Sequence, residues 1–470
     1  MADGLAVRLA LARAIGALSR LRGGGATSAP GKVLRRMAPD AIAALGARLN
    51  RGSVLVSATN GKTTTASMAA SILRTAGVRL VHNRAGANMA GGIATTLLDA
   101  ARPRGGIDGE LGLFEVDELW LAEIVRELEP RAILLGNLFR DQLDRYGELE
   151  TIADSWQQIV AAGHARLILN ADDPLIADLG RERPDALYFG IDDDRLALAG
   201  MSHASDAKHC RRCGAPYVFD AIYLGHLGHY HCPSCGQRRP LPEVWASDVR
   251  LAGVRAARFT LHAGGSEAEV SLAVPGLYNV YNAVAAAALA SALEVPLEAI
   301  VAGLQNTRAA FGRAETVRLA GPKVAGARAP DREMRIMLVK NPAGANEVLR
   351  TLALERGEHD LLGVLNDQIA DGRDVSWIWD ADFELLAGRI RRVTCSGNRA
   401  ADLATRLKYA GIDTARIHIQ TELSAALDLA AANRPDGTEP PPLYALPTYT
   451  AMLALRDLLV ARGEASSAWS

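Results

Sequence analysis

At 470 residues, 49% of them hydrophobic, the chain is long enough for about two to four domains with sizeable cores. Its 52 basic residues balance 53 acidic ones, a formal net charge of −1, which removes any global electrostatic case for nucleic acid or an anionic membrane as partner. No apolar run reaches the roughly 18–20 residues that a membrane helix needs.

Residues 1–45 read as a helical segment, two helices split by Gly23–Gly25 and by the break Ser28-Ala-Pro-Gly31. Arg8 and Arg13 interrupt the apolar run Leu5–Ile15, whereas a signal peptide needs an uninterrupted apolar core. Four of the five cysteines form two CxxC pairs, which points to metal rather than disulfides. Both features place the protein in the cytoplasm.

Val54–Val56 reads as a buried strand, Asn60-Gly61 as a tight turn, and Ala66–Leu73 as a helix opened by Lys62 and three threonines. A strand that stops in a Gly-Lys-Thr turn and restarts as a helix is a phosphate site. N–H groups at the helix start face the anion, Lys62 adds a point charge, and the Thr63 hydroxyl can bind Mg²⁺. The spacing departs from the strict phosphate-loop pattern, whose first Gly would fall on Val56.

Val78–Val81 reads as the next strand, followed by a glycine-rich turn at Gly86–Gly92 and a helix over Ile93–Ala101. The strand Leu111–Val116 ends in Glu115, Asp117 and Glu118. Glu115 is expected at the metal, with Asp117 and Glu118 capping the next helix. Further strands fall at Ala132–Leu135 and Leu167–Asn170. This alternation predicts an α/β fold with a parallel, doubly wound sheet. The loops at Thr59–Thr65, Glu115, Asn137 and Asn170 would gather at the carboxyl ends of its strands, where such sheets bind ligands.

Ala58-Thr-Asn-Gly-Lys-Thr-Thr-Thr65, Gly136-Asn-Leu-Phe-Arg-Asp-Gln-Leu-Asp144 and Asn170-Ala-Asp-Asp-Pro174 resemble the ordered motifs of Mur ligases and folylpolyglutamate synthases. Pro275-Gly-Leu-Tyr-Asn-Val-Tyr-Asn-Ala283 and Gly312-Arg-Ala-Glu315 extend the series. The resemblance implies a P-loop ATPase domain over residues 46–315 that joins an amine to a carboxylate through an acyl phosphate. It implies ATP held by Thr59, Asn60, Gly61, Lys62, Thr63 and Thr64. Asn279 and Asn282 would touch the nucleotide and Arg313 its phosphates. Mg²⁺ would be held by Thr63, Glu115 and Gln142. Lys62, Glu115 and Arg313 are the catalytic candidates. The family usually carries Gly in place of Ala58, and Gln142 stands where it places a His for a second Mg²⁺. Lys208 is the sole lysine between Lys62 and Lys323, so the carbamylated lysine of many members is not expected.

Cys210-Arg-Arg-Cys213 and Cys232-Pro-Ser-Cys235 lie 18 residues apart, each followed by Gly, which is the spacing of a Zn²⁺ ribbon. Four thiolates close the shell, so a structural zinc site over residues 205–240 is expected. Chelation should then unfold or destabilise the ribbon without altering phosphate-loop chemistry directly. Arg211, Arg212, Arg238 and Arg239 leave nucleic-acid binding as the runner-up, although solvated arginines are the simpler expectation. Beyond Asn282 the Ala-rich run predicts a helix over Ala283–Leu293.

The Gly/Pro-rich stretch Gly321–Pro330 marks a boundary. Strand-like runs at Arg335–Val339, Leu361–Leu365, Arg392–Cys395, Ile417–Ile419 and Pro442–Leu446 predict a second, smaller α/β domain over residues 330–465. The motifs Leu338–Gly344, Leu365–Asp380, Ser396–Asp402 and Leu446–Met452, with the ribbon, resemble the Mur-ligase-like subunits of two-chain amidotransferases. That resemblance implies amidation of the D-glutamate α-carboxylate of lipid II, in peptidoglycan biosynthesis at the inner face of the membrane. It implies a GatD-like class I glutaminase partner, consistent with the absence of a Gly-x-Cys-x-Gly elbow here. Asp371 and Asp374 are candidates to complete the partner's Cys–His pair, Asp374 slightly preferred, with capping of the following Val-Ser-Trp segment an equal alternative. Trp377 and Trp379 are expected in the core. The rival readings are an amino-acid-adding ligase, against which Met337, Lys340 and the ribbon speak, and a ribbon-bearing nucleic-acid binder with a vestigial ATPase.

Overall fold

The computed structural model describes residues 7–14, 16, 28–83, 86–102, 106–141, 149–200, 205–307, 313–320, 323–324, 327–328, 331–432 and 440–465. Among them a nine-stranded sheet carries the phosphate loop. Its strands are β1 Ser53–Ser57, β2 Leu80–His82, β3 Leu111–Glu115, β4 Ala132–Leu135, β5 Arg166–Asn170 and β6 Leu187–Ile191. After the insert hairpin, β7 Val218–Leu224 and β8 Leu227–His231, the sheet continues with β9 Val244–Ala252, β10 Ala256–Ala263 and β11 Ser266–Leu272. The spatial order is β2-β3-β1-β4-β5-β6-β9-β10-β11. Pairing is parallel from β2 through β9, and β10 and β11 add an antiparallel edge.

β1 explains why a continuous apolar run was legible as a buried strand. Val54 and Val56 face one core, and Leu55 faces the other. Both faces are covered, so neither needs polar residues. On the first face lie the loop helix Lys62–Thr75 and the Ala-rich helix Leu277–Ala292. On the second lie the helices Ala29–Met37, Ala90–Ala100, Leu121–Leu128 and Leu149–Ala162.

Several elements differ from expectation. Ser28-Ala-Pro-Gly31 opens the helix Ala29–Met37 instead of breaking one, because Pro is tolerated in a first turn whose N–H has no partner. The Ala-rich helix starts at Leu277, which brings Asn279 and Asn282 into its opening turns. β6 and β9 were not anticipated. β9 mixes exposed and buried positions, and so lacks the apolar run that marks an interior strand.

A second, six-stranded sheet follows. It contains β12 Arg313–Leu319, β15 Arg332–Met337, β16 His359–Val364, β17 Ile390–Ser396, β18 Ile417–Ile419 and β19 Leu443–Pro447, in the order β12-β15-β19-β16-β17-β18. The short pair β13 Lys323–Val324 and β14 Ala327–Arg328 lies between its first two strands in sequence. Only β12 is antiparallel to its neighbour. Its two cores again alternate along each strand, with Met337, Leu361 and Tyr444 on one side and Ile336, Leu362 and Ala445 on the other. Trp377 packs against the first of these cores, but Trp379 is half exposed beside Arg406 and Tyr409.

The loop helix is wedged by the helix Leu297–Gln305. A Cβ on Gly303 would lie 2.4 Å from the Ile72 Cα, and Ser71 Oγ donates to the Gly303 carbonyl at 2.7 Å. Neither contact can open without moving the backbone of the phosphate-loop helix. Gly303→Ala is therefore expected to destabilise the fold by about 1–3 kcal/mol, the usual cost of overpacking. Urea denaturation checks this, and an unchanged midpoint would refute the close packing.

Candidate active site

β1 ends at Ser57, and the chain turns through Ala58–Gly61 into the helix Lys62–Thr75. Gly61 has φ 86°, and a Cβ there would strike Asn282 Oδ1 at 2.0 Å, so only Gly fits. Asn137, at the end of β4, accepts from the Asn60 N–H at 2.9 Å and donates to the Asn60 carbonyl at 3.0 Å. Thr59 Oγ1 accepts from the Phe139 N–H at 3.1 Å. The carboxyl ends of the strands thus hold the turn in place.

Lys62 is buried, and its Nζ donates to Glu118 Oε2 at 2.9 Å and to the Ala58 carbonyl at 2.5 Å. Burial works to lower the lysine pKa, but the carboxylates of Glu118, Glu115 and Asp117 outweigh it and hold the pKa above its ordinary value. Burial likewise works to raise the Glu118 pKa, and Lys62 and Lys340 hold it below the usual carboxylate range. Glu118 therefore does not cap the next helix as expected. That helix begins at Leu121 with no side-chain cap, and Glu118 is drawn 56 residues back to the lysine because an unpaired buried ammonium is costly. Asp117 does take a local turn bond, from the Leu119 N–H at 3.3 Å.

Thr63 Oγ1 donates to Glu115 Oε1 at 3.0 Å, so the hydroxyl and carboxylate expected at a metal are adjacent. Asn83, which was not anticipated, brackets the Glu115 backbone, accepting from its N–H at 2.9 Å and donating to its carbonyl at 2.8 Å. Asn88 Nδ2 reaches Glu115 Oε1 at 3.4 Å. A hard oxygen pair beside a helix N-terminus fits Mg²⁺ with a nucleotide phosphate. Gln142 lies outside the described residues.

The second sheet closes over this loop. Asn60 and Asn341 exchange side-chain amide bonds at 3.0 and 3.3 Å. Lys340 Nζ reaches the Thr59 carbonyl at 3.2 Å and pairs with the buried Asp141. Burial raises the Asp141 pKa, and Lys340 only partly offsets it. Between the halves lies a cavity. Asn60, Gly61, Thr64, Asn137 and Asn282 line its polar end, and Met337, Leu338, Ala343 and Val348 its far side. Asn282 Oδ1 accepts from Thr65 Oγ1 at 3.2 Å, while its Nδ2 donates to Asn279 Oδ1 at 3.1 Å. Asn279 in turn donates to the Pro275 carbonyl at 2.7 Å and so braces Asn282. Arg313 opens β12, with its backbone opposite Met337.

The four ribbon cysteines converge, their sulfurs all within 4.8 Å of one another. Cys210 and Cys235 lie 3.6 Å apart, and Cys213 and Cys232 3.4 Å. A tetrahedral Zn²⁺ with Zn–S near 2.3 Å sets sulfurs about 3.8 Å apart, so the donor set fits. The Cys235 and Ser234 N–H groups pull the Cys232 thiol down to about 6. The Gln237 N–H pulls on Cys235 too, but burial and the bonds to the neighbouring sulfurs push it up to about 12. Four thiols this close cannot all ionise without a cation. Gly214 and Gly236, both at φ 75°, close the two knuckles. The ribbon arginines are not simply solvated. Arg211 pairs with Asp154, Arg212 with Asp178 and Arg239 with Asp172, because the knuckles dock on carboxylates of two helices and of the loop after β5. Arg238 remains exposed. Lys208 is exposed beside the first knuckle.

Asp371 and Asp374 lie apart from the cavity. Asp371 is buried, and both its oxygens take bonds from Thr450. Asp374 is exposed and accepts from the Ser376 N–H at 2.8 Å, which, with the Ser376 side chain, lowers its pKa. Cys395 is buried in β17, and burial pushes its thiol up to about 12, as for an inert apolar residue.

The family profile described as Mur ligase middle domain matches residues 56–222, and that described as MurT ligase C-terminal matches residues 338–452. The chain is 33% identical over 451 residues to a protein of Streptococcus pneumoniae named lipid II isoglutaminyl synthase (glutamine-hydrolyzing) subunit MurT, covering 95% of this chain and 94% of that one. It is 30% identical over 396 residues to the protein of the same name from Staphylococcus aureus, covering 84% and 85%. A pseudomurein peptide ligase type C from Methanothermus fervidus has a similar structure, with TM-score 0.67, 22% identity and coverage of 88% and 79%. MurF from Acinetobacter baumannii aligns with TM-score 0.63, 19% identity and coverage of 92% and 80%.

Glu347 also lines the cavity. Burial pushes its carboxyl from 4.5 up to about 6, against the pull of Arg350. Such a group favours folding fully below its unfolded pKa, and that contribution is lost as pH rises through about 6. Glu347→Gln is therefore expected to stabilise the chain by up to about 2 kcal/mol at pH 7 and by almost nothing at pH 4. Urea denaturation at the two pH values checks it, and a pH-independent difference would contradict the assignment.

Proposed function

The chain belongs to the MurT family of Mur-type ligases, and we propose that it is the ligase subunit of a two-chain enzyme that amidates lipid II. Mur ligases use ATP and Mg²⁺. On our reading the chain transfers the terminal phosphoryl group of ATP to the D-glutamate α-carboxylate of the stem peptide. Ammonia then attacks the acyl phosphate, phosphate departs, and D-isoglutamine results.

One observation carries the reading: Asn60, Gly61 and Thr64 of the phosphate loop line a cavity completed by a second domain, and the same loop carries Lys62 and a Thr63–Glu115 oxygen pair. Lys62 stands in an ion pair that a phosphate group can exchange for its own charge. Transfer of Nζ from Glu118 to the phosphoryl oxygens would offset the charge that builds there. Thr63 and Glu115 would hold Mg²⁺, which supplies further charge neutralisation. Thr59, Asn60, Gly61 and Thr64 would complete the phosphate cradle, with Asn282, braced by Asn279, at the nucleoside end. Arg313, by family resemblance, would meet the phosphates from β12.

Cysteine chemistry supports a partner. A glutaminase needs an accessible activated thiol. All five cysteines are placed, four together in the ribbon and one buried in β17. Ammonia must then come from a second polypeptide, for which a GatD-like class I glutaminase is the candidate. Asp374, exposed where Asp371 is buried, is our candidate to reach that partner's site. Among the described residues no helix is long and apolar enough to cross a membrane. On our reading the chain meets lipid II at the cytoplasmic membrane face.

The purified chain with ATP, a lipid II-like glutamate substrate and ammonium should form amide, and glutamine alone should not replace ammonium until the glutaminase is added. Lys62→Ala should lower the rate by about 10²–10³, the scale for one lost charge-stabilising donor. Turnover with a free amino acid in place of ammonium would overturn the amidation reading.

A further inference from the structure

The ribbon reaches the active-site cavity. Its hairpin, β7 and β8, runs from the cysteine knuckles to a tip at Leu224-Gly225-His226-Leu227, and Leu224 and Leu227 line the same cavity as Gly61 and Asn282. The tip is fixed, not draped. A Cβ on Gly225 would lie 2.7 Å from the Phe139 ring, and the Phe139 and His226 rings sit 4.6 Å apart. His226 is fully buried with Nε2 3.4 Å from Asp173 Oδ2. Ser205 Oγ donates to the Gly225 carbonyl at 2.8 Å.

A second path leaves the other knuckle. Arg239 donates to Asp172 Oδ1 at 2.6 Å and to the Ile191 carbonyl at 2.9 Å. The opposite oxygen of Asp172 accepts from the Ile191 N–H at 2.9 Å and from Tyr281 Oη at 2.7 Å. Tyr281 lines the cavity next to Asn282. The Gly228 N–H donates to the Asp172 carbonyl at 2.9 Å, which ties β8 to the same residue.

We propose that the ribbon hairpin is a wall of the nucleotide site: Leu224 and Leu227 hold the nucleoside half of ATP, and metal binding at the four cysteines sets ATP affinity by fixing that wall. This deepens the reading of the cavity as the nucleotide site and rests on it. The physical case is one of position. The phosphate loop would meet phosphates, and it is tied to β1, to the end of β4 and to the second sheet, sharing with the ribbon tip a contact through Phe139. The apolar wall would meet base and ribose, and it is tied to the knuckles. Loss of the metal therefore loosens the apolar half of the site far more than the phosphate half. The ribbon would then be a positioning element for the reaction as well as a brace for its own fold.

The test compares two probes on the full chain, ATP and inorganic tripolyphosphate, by isothermal calorimetry with thermal melting alongside. Leu227→Ala should weaken ATP about tenfold, the scale for a lost apolar contact in a pocket, and leave tripolyphosphate within twofold. Removal of zinc by a chelator should do the same, and added Zn²⁺ should restore ATP affinity. Leu224→Ala gives a second reading should Leu227→Ala melt early. Equal loss of both probes, or unchanged ATP affinity in the variants and the zinc-free chain, would overturn the proposal. Lys62→Ala separates the two layers: it should weaken both probes, and if it weakens neither, the cavity is not the nucleotide site at all.

Discussion

The active-site half of this fold depends on how a buried lysine is compensated. Lys62 sits where the positive end of a helix dipole already favours anions, so its own charge needs a partner when no phosphate is present. Glu118 supplies it at 2.9 Å, with two loop carbonyls. The pair keeps the loop formed and the ammonium charged. On the proposed reading a nucleotide phosphate would offer Lys62 more charge than one carboxylate, and would leave Glu118 beside Lys340.

Lys340 links the two sheets at that point. It bonds a loop carbonyl and Asp141, while Asn341 and Asn60 exchange amide bonds. These are polar, partly exposed contacts, the kind an interdomain surface makes and breaks without unfolding. The loop proposed to bind phosphate is thus also the surface on which the second domain rests.

The phosphate loop was legible because its chemistry is local: strand, Gly turn, Lys, hydroxyls and helix are contiguous. The ribbon was legible because thiolate spacing is diagnostic even without tertiary structure. Glu118 was misread as a helix cap, since nothing near it in sequence reveals a lysine 56 positions away. The bracing of Glu115 by Asn83 and of Asn282 by Asn279 escaped notice for the same reason. β9 was missed because its alternating burial resembles an exposed segment. The docking of Arg211, Arg212 and Arg239 needs carboxylates from three different elements, which only the folded chain brings near. Asp371 and Asp374, three residues apart, were separated only by a slight preference for Asp374 until one proved buried and the other exposed.

The central claim is that this site activates a carboxylate by phosphorylation and leaves the making of ammonia to another chain. The fate of a labelled oxygen tests it most directly. A lipid II-like substrate carrying ¹⁸O in the glutamate α-carboxylate is incubated with the chain, ATP and ammonium, and the released nucleotide and phosphate are analysed by mass spectrometry. Carboxylate phosphorylation yields ADP, amide and phosphate that has gained one ¹⁸O. Release of AMP and pyrophosphate, or of unlabelled phosphate with amide formed, would contradict it.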